Sequence, residues 1–212
     1  MDRRARFYDP ISWTQALIDT ALAMTFVAQP GTVETNNGDG TVAVRLGIYY
    51  QSRTKNQDWK DITPAALIPK ALIVFPGDDN FMLTTPVAAG TVGLLVFCDR
   101  CIDAFWQHGG SQTQIDKRMH DLTDGVFIPG LKIIPNWNND INQNSAELRT
   151  KSGNTKITFD DTNGVVITST NVKVTGNLQV TGSITSGQGG ADQVGLQTHK
   201  HAADNTPPTA GT

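Results

Sequence analysis

The amino-acid sequence predicts a mainly β protein in two unlike parts: a small closed barrel led in by a helix, and a repetitive β stem. Three observations carry that prediction. All four tryptophans, Trp13, Trp59, Trp106 and Trp137, fall in the first two thirds of the 212 residues, and after Trp137 the only aromatic is Phe159. Within the first part, alternating or apolar runs are separated by Gly, Pro and Asp clusters, the grammar of short strands and turns. In the second part the runs tighten into a six-residue repeat.

The elements follow in order. Asp9-Pro10-Ile11-Ser12-Trp13 offers a capping side chain and a proline at the first helical position, and Leu17, Ile18, Ala21 and Leu22 recur at helical spacing. A helix is expected over about 10–25, so that residues 1–25 form an N-terminal arm and helix. From Thr25 the pattern turns to β: Phe26-Val27-Ala28, the turn Gly38-Asp39-Gly40, then Thr41-Val42-Ala43-Val44-Arg45-Leu46 with alternation. Ala71-Leu72-Ile73-Val74-Phe75 and Gly93-Leu94-Leu95-Val96-Phe97 read as buried strands. About five strands fit before residue 135, and a five-stranded Greek-key barrel of the oligonucleotide/oligosaccharide-binding type (OB-fold-like) closes them without open edges. Asp116 to Asp121 is expected to add a helical turn. The amide-rich run from Asn136 to Asn144 marks the end of the barrel, which is assigned 26–145.

Residues 146–187 are the predicted stem. Leu148-Arg149-Thr150-Lys151, Lys156-Ile157-Thr158-Phe159 and Val165-Val166-Ile167-Thr168 are strands divided by Ser152-Gly153-Asn154 and Asp161-Thr162-Asn163-Gly164. Asn171-Val172-Lys173-Val174-Thr175-Gly176, Asn177-Leu178-Gln179-Val180-Thr181-Gly182 and Ser183-Ile184-Thr185-Ser186-Gly187 follow as hexads. Alternation puts Val172, Val174, Leu178, Val180 and Ile184 on inward faces and Lys173, Gln179 and Thr185 outside. So little apolar surface cannot offset an ordering entropy of roughly 1–2 kcal/mol per residue in a single chain. Three chains wound into an intertwined trimeric β-helix supply a shared core; a single-chain hexapeptide β-helix or a solvated two-sheet appendage is the alternative.

Formal net charge is -3 with scattered Lys and Arg, which argues against nucleic acid or anionic lipid as a partner. No apolar run has transmembrane length and no signal-peptide pattern follows Met1, so synthesis in the cytosol is expected. Two cysteines make no disulfide scaffold.

The sharpest chemical motif is Thr198-His199-Lys200-His201. In an extended strand His199 and His201 point to one side and Lys200 to the other. Two imidazoles are too few for a metal site, but three chains on an axis bring six, a set that suits an octahedral first-row transition ion: iron, nickel or copper, with zinc less well matched. The surrounding apex, 188–212, is rich in small and turn-forming residues, as either a narrow folded point or a disordered tail requires. Cys98-Asp99-Arg100-Cys101 lacks a second pair, and Cys98 reads as a small core residue. Asp160-Asp161-Thr162-Asn163-Gly164 lacks the closing Glu of a calcium loop, with Asn171 at its twelfth position, and reads as a hairpin turn. No Gly-x-Ser-x-Gly, His-Glu-x-x-His or phosphate-binding Gly-rich motif is present, so no enzymatic activity is expected.

In this order of parts the chain resembles the central spike proteins of contractile-tailed bacteriophage baseplates, of the small type without a lysozyme domain. The likeness runs through Tyr8-Asp9-Pro10, Gly38-Asp39-Gly40-Thr41-Val42, Asp124-Gly125-Val126-Phe127-Ile128-Pro129-Gly130, the Val-Thr-Gly-rich stem and Thr-His-Lys-His with its Pro-containing tail. The resemblance implies a homotrimer in the virion tail baseplate, made in the host cytoplasm, whose barrel docks on a trimeric baseplate hub protein and whose stem is a triple-stranded β-helix. It implies an apex holding an iron ion, one per trimer, with His199 and His201 as the matching metal ligands. The implied task is puncturing the bacterial outer membrane on sheath contraction. The competing readings are a receptor-binding tail fibre or adhesin, expected to carry aromatic recognition residues at its distal end, and a tail-associated peptidoglycan hydrolase. A bacteriocin or secretion-system spike shares the mechanism.

Overall fold

The computed structural model describes residues 10–23, 25–49, 51–53, 59–61, 65–78, 80–187 and 194–195. The chain divides into two compact units, Met1–Trp137 and Asn138–Thr212.

Helix α1, Pro10–Ala23, begins at the proline expected there. Thr14 and Thr20 donate their hydroxyls to the carbonyls of Pro10 and Ala16, and Gln15 bonds Asp19 one turn on. From Pro10 to Leu22 every residue is exposed.

The barrel then forms from β1 (Ala28–Asn36), β2 (Thr41–Leu46), β5 (Leu67–Ile73), β6 (Val92–Phe97) and β7 (Gly125–Pro129). Between β2 and β5 a small ribbon pairs β3 (Gln51–Arg53) with β4 (Trp59–Asp61). The barrel closes in the order β1-β2-β5-β7-β6. Counted among themselves, its five strands run 1-2-3-5-4, the Greek-key order of an OB-like barrel, with one parallel contact where Leu72 and Ile73 of β5 meet Val126 and Phe127 of β7. The inward face is Val33, Val42, Val44, Leu46, Ile68, Ala71, Leu95, Phe97 and Phe127.

Two sequence features explain why the barrel closes here. The β1–β2 hairpin turns on Gly38 and Gly40, at φ 77° and 84°, a left-handed backbone that glycine adopts without strain. Gly93 of β6 has no room for a side chain, since a Cβ there would run into the Phe127 ring and the Ile128 carbonyl. Strand β5 starts earlier than its apolar run, at Leu67, and includes Pro69. Its pairing with β2 shifts register between Val42 and Val44, and Pro69 lies in the bulged stretch between Ile68 and Ala71, where no ladder N–H is required.

The helical turn expected at 116–121 does not form. There Asp116 accepts the Arg118 N–H at 2.9 Å and Asp121 accepts the Thr123 N–H at 2.8 Å, local bonds that compete with a helix. The short helix in this connection is instead α2, Asp103–His108, with an acidic residue in its first turn and a histidine in its last.

In the C-terminal unit, β8 (Ala146–Arg149), β9 (Lys156–Asp160) and β10 (Gly164–Thr168) make an antiparallel sheet in the order β10-β9-β8. The Asp160 carboxylate caps the β9–β10 turn by accepting the N–H groups of Thr162 and Asn163, both at 2.9 Å, so this segment is a hairpin turn. Through the hexads, no strand is assigned among the described residues between Thr168 and Thr185. Two short strands, β11 (Thr185–Ser186) and β12 (Val194–Gly195), pair beyond them.

Candidate functional site

The three-stranded sheet of the C-terminal unit has its faces reversed relative to a soluble domain. Its register aligns Leu148, Ile157 and Ile167 across the three strands, and Ala146, Phe159 and Val165 beside them, on one face. That apolar face is open: Leu148 is 51 %, Phe159 54 %, Val165 62 % and Ile167 54 % exposed. The other face carries Glu147, Arg149, Lys156 and Thr158, which are buried or half-buried, and the exposed Val166 and Thr168 of β10. Glu147 is bonded by Lys156 Nζ at 2.7 Å, Arg149 Nη1 at 3.2 Å and the Thr158 hydroxyl at 3.3 Å, while Arg149 also reaches Asp140 at 2.6 Å. These partners hold the Glu147 carboxyl below its usual range, the Lys156 hydrogen bond first among them; the Arg149 hydrogen bond does the same for Asp140.

The open face continues as a groove of about 480 Å³ whose walls include Leu148, Ile157, Ile167 and Val172. Val174, Leu178 and Val180, expected inward from the repeat, are also exposed in the single chain. Contiguous apolar surface of this kind marks an interface, since burying a Val, Leu, Ile or Phe side chain completely contributes roughly 1.5–3 kcal/mol.

His199 and His201, the predicted metal ligands, lie outside the described residues, as does Lys200 between them. Among the described residues, Cys101, Asp103 and Asp124 bring a thiol and two carboxylates together. A cation is already there. Arg118 donates Nε to Asp124 Oδ2 at 2.7 Å, and Nη2 both to Asp124 Oδ1 at 2.9 Å and to Asp103 Oδ2 at 2.7 Å. Asp124 is fully buried and also accepts the Ile102 N–H at 3.0 Å, while its carbonyl accepts the Cys98 N–H at 3.0 Å. The cluster thus fixes the long β6–β7 connection onto the barrel, and a metal would have to displace a bidentate guanidinium. The Arg118 hydrogen bond holds Asp103 below its usual range, and burial, then the Asp124 charge, pushes the Cys98 thiol up, the opposite of what a reactive cysteine needs. Cys101 is buried and Cys98 partly so, both as free thiols. Sequence reading missed this cluster because its members are 15 and 6 residues from Arg118 with no periodic spacing; the one signal was a single arginine among Asp116, Asp121 and Asp124.

The N-terminal unit has apolar surface of its own. The exposed α1 carries Ile11, Trp13, Leu17, Ile18 and Leu22, and the β5–β6 connection presents Phe81 at 82 % exposure. Phe81 is held out by an Asx turn in which Asp78 Oδ1 accepts the N–H groups of Asn80 and Phe81, both at 2.8 Å. No curated protein matches the chain. Residues 29–130, just under half of the chain and all but the first residue of the span from β1 to β7, match the family described as Phage protein Gp138 N-terminal domain, so the barrel is similar to a domain of phage proteins.

Proposed function

We propose that this chain is the non-enzymatic central spike of a contractile-tail baseplate, a homotrimer that punctures the bacterial outer membrane when the sheath contracts. The observation that supports the proposal is the open apolar face of β8–β10; in this reading three copies bury it against one another along a common axis. The likeness of the barrel to a phage protein domain supports a place in the tail. In this reading the barrel unit docks on a trimeric baseplate hub through surfaces such as α1 and Phe81, residues 171–184 pair between chains, and the stem points outward. The donor set at the apex, His199 and His201 from each of three chains, suits six-coordinate iron. A metal held by all three chains resists the fraying that free termini suffer.

Immunogold labelling of intact tails with an antibody to this chain tests the reading. Label on the tail axis at the centre of the baseplate is expected; label on peripheral fibres would assign a receptor-binding role instead. Elemental analysis of the purified chain is expected to find one iron per three chains, lost in His199→Ala and retained in Lys200→Ala.

A further inference from the structure

The barrel holds a cavity that the spike reading does not use. It measures about 220 Å³ and is lined by residues of β2, β5 and β7 and of the β6–β7 connection, among them Lys70, Leu72, Asp103, Trp106 and Thr123. We propose that this cavity binds one ring of a neutral saccharide, with Trp106 as its apolar platform and Lys70, Asp103 and Thr123 as its hydroxyl partners.

Size comes first. The cavity is smaller than the roughly 300–1,000 Å³ of sites that enclose a drug-sized molecule, so it accepts a single ring with the rest of a chain outside. The chemistry of the lining comes second. Pro69, Leu72, Ile102 and Trp106 form an apolar wall matching the C–H face of a pyranose, and Trp106, at 41 % exposure, is an aromatic open to contact. The polar groups around it have unused capacity. Lys70 Nζ bonds Asp39 Oδ2 at 3.2 Å and lies 5.8 Å from the centre of the Trp106 ring, which leaves two ammonium hydrogens for a ligand. Arg118 and Cys101 both bond Oδ2 of Asp103, so Oδ1 can accept from a hydroxyl. The Thr123 hydroxyl donates to Asp121 at 2.6 Å and keeps its lone pairs.

Position in the fold comes third. The second and third barrel strands, β2 and β5, and the connection between the fourth and fifth build the cavity, with Asp39 of the first hairpin bonded to Lys70 beside it. Barrels of this topology hold oligonucleotides and oligosaccharides on that face. Charge decides between them. Asp39 is paired with Lys70 and Asp103 with Arg118, so the surround carries no excess of cations. A phosphate backbone finds no net positive charge to hold it there, whereas neutral hydroxyls bond carboxylate and ammonium alike.

The test is calorimetric titration of the full chain with triacetylchitotriose, with maltotriose and with a six-base oligothymidylate. Saturable binding of at least one saccharide and none of the oligonucleotide is expected, weakened about tenfold or more in Trp106→Ala and severalfold in Lys70→Ala. Lys70 is exposed, so that variant keeps its fold and reads the site even where Trp106→Ala does not express. Absence of binding to both saccharides, equal affinity in the wild type and Lys70→Ala, or binding of the oligonucleotide alone would each overturn the proposal. The spike reading stands or falls separately, on the position of the chain in the tail.

Discussion

Along β2 of the barrel, alternation sends Val42, Val44 and Leu46 into a closed core, whereas along β8–β10 the same alternation leaves Leu148, Phe159, Val165 and Ile167 in solvent and covers Glu147. Both segments obey period-2 patterning, so pattern alone does not distinguish them. The difference is closure. The barrel returns β6 to β1 and gives each inward side chain a neighbour from its own chain, while among the described residues the three-stranded sheet has no second layer over its apolar face. One unit closes its core within a single chain, and the other leaves its apolar face open.

The largest effect that sharpens this contrast is at the open face. Ile167→Asp places a carboxylate in the proposed shared core three times over, without partners, and is expected to abolish the trimer while the barrel still unfolds at its wild-type denaturant midpoint. Thr162→Asp, in the exposed β9–β10 turn, serves as the control and should leave assembly intact. Sedimentation velocity reads both; an Ile167→Asp protein that stays trimeric would break the comparison.

Next in size is the buried cluster of the barrel. Arg118→Leu leaves Asp124 buried without its guanidinium and is expected to cost the N-terminal unit roughly 3–5 kcal/mol in urea unfolding. Assembly through the other unit should survive wherever the barrel is still folded. A cost below about 1 kcal/mol, the scale of surface pairs, would show that the cluster does not hold the connection in place.

The covered polar face predicts a smaller, pH-dependent difference. Glu147 has its folded-state pKa depressed, so its contribution is complete above its unfolded value and is lost as pH falls through the folded one. The C-terminal unit is therefore expected to loosen below about pH 4, and Glu147→Gln to be less stable near neutrality and to lose less on acidification. Circular dichroism against pH checks this; parallel profiles for the two proteins would remove Glu147 from the account.

The smallest effect lies in the β1–β2 hairpin. A Cβ on Gly38 meets nothing within 4 Å, so Gly38→Ala isolates the left-handed backbone cost, roughly 1–2 kcal/mol. Thermal unfolding of the barrel should shift accordingly, with no change in assembly.

What could be read from the sequence follows the same division. The run from Thr41 to Leu46, the glycine turn before it and the run from Gly93 to Phe97 are local signals, and the strands formed where they predict. Strand β5 was only half legible, because Pro69 argues against a strand until its bulge is known. Helix α2 and the Arg118 cluster were not legible: a six-residue helix has no full amphipathic period, and the cluster exists only once the chain has folded back on the barrel. In the C-terminal unit the strands were legible, but not which face lies open, since that depends on how the segment before β8 covers Glu147 and Arg149. The cavity beside Trp106 left no sequence signal, as its lining comes from three strands and a long connection.

In the proposed spike, the open apolar face of β8–β10 and the exposed Val172, Val174, Leu178 and Val180 are the inside of a three-chain assembly. Sedimentation equilibrium of the purified full chain across a wide concentration range tests it most directly. A single species at three times the chain mass, persisting on dilution, is the predicted result; a stable monomer would contradict the account.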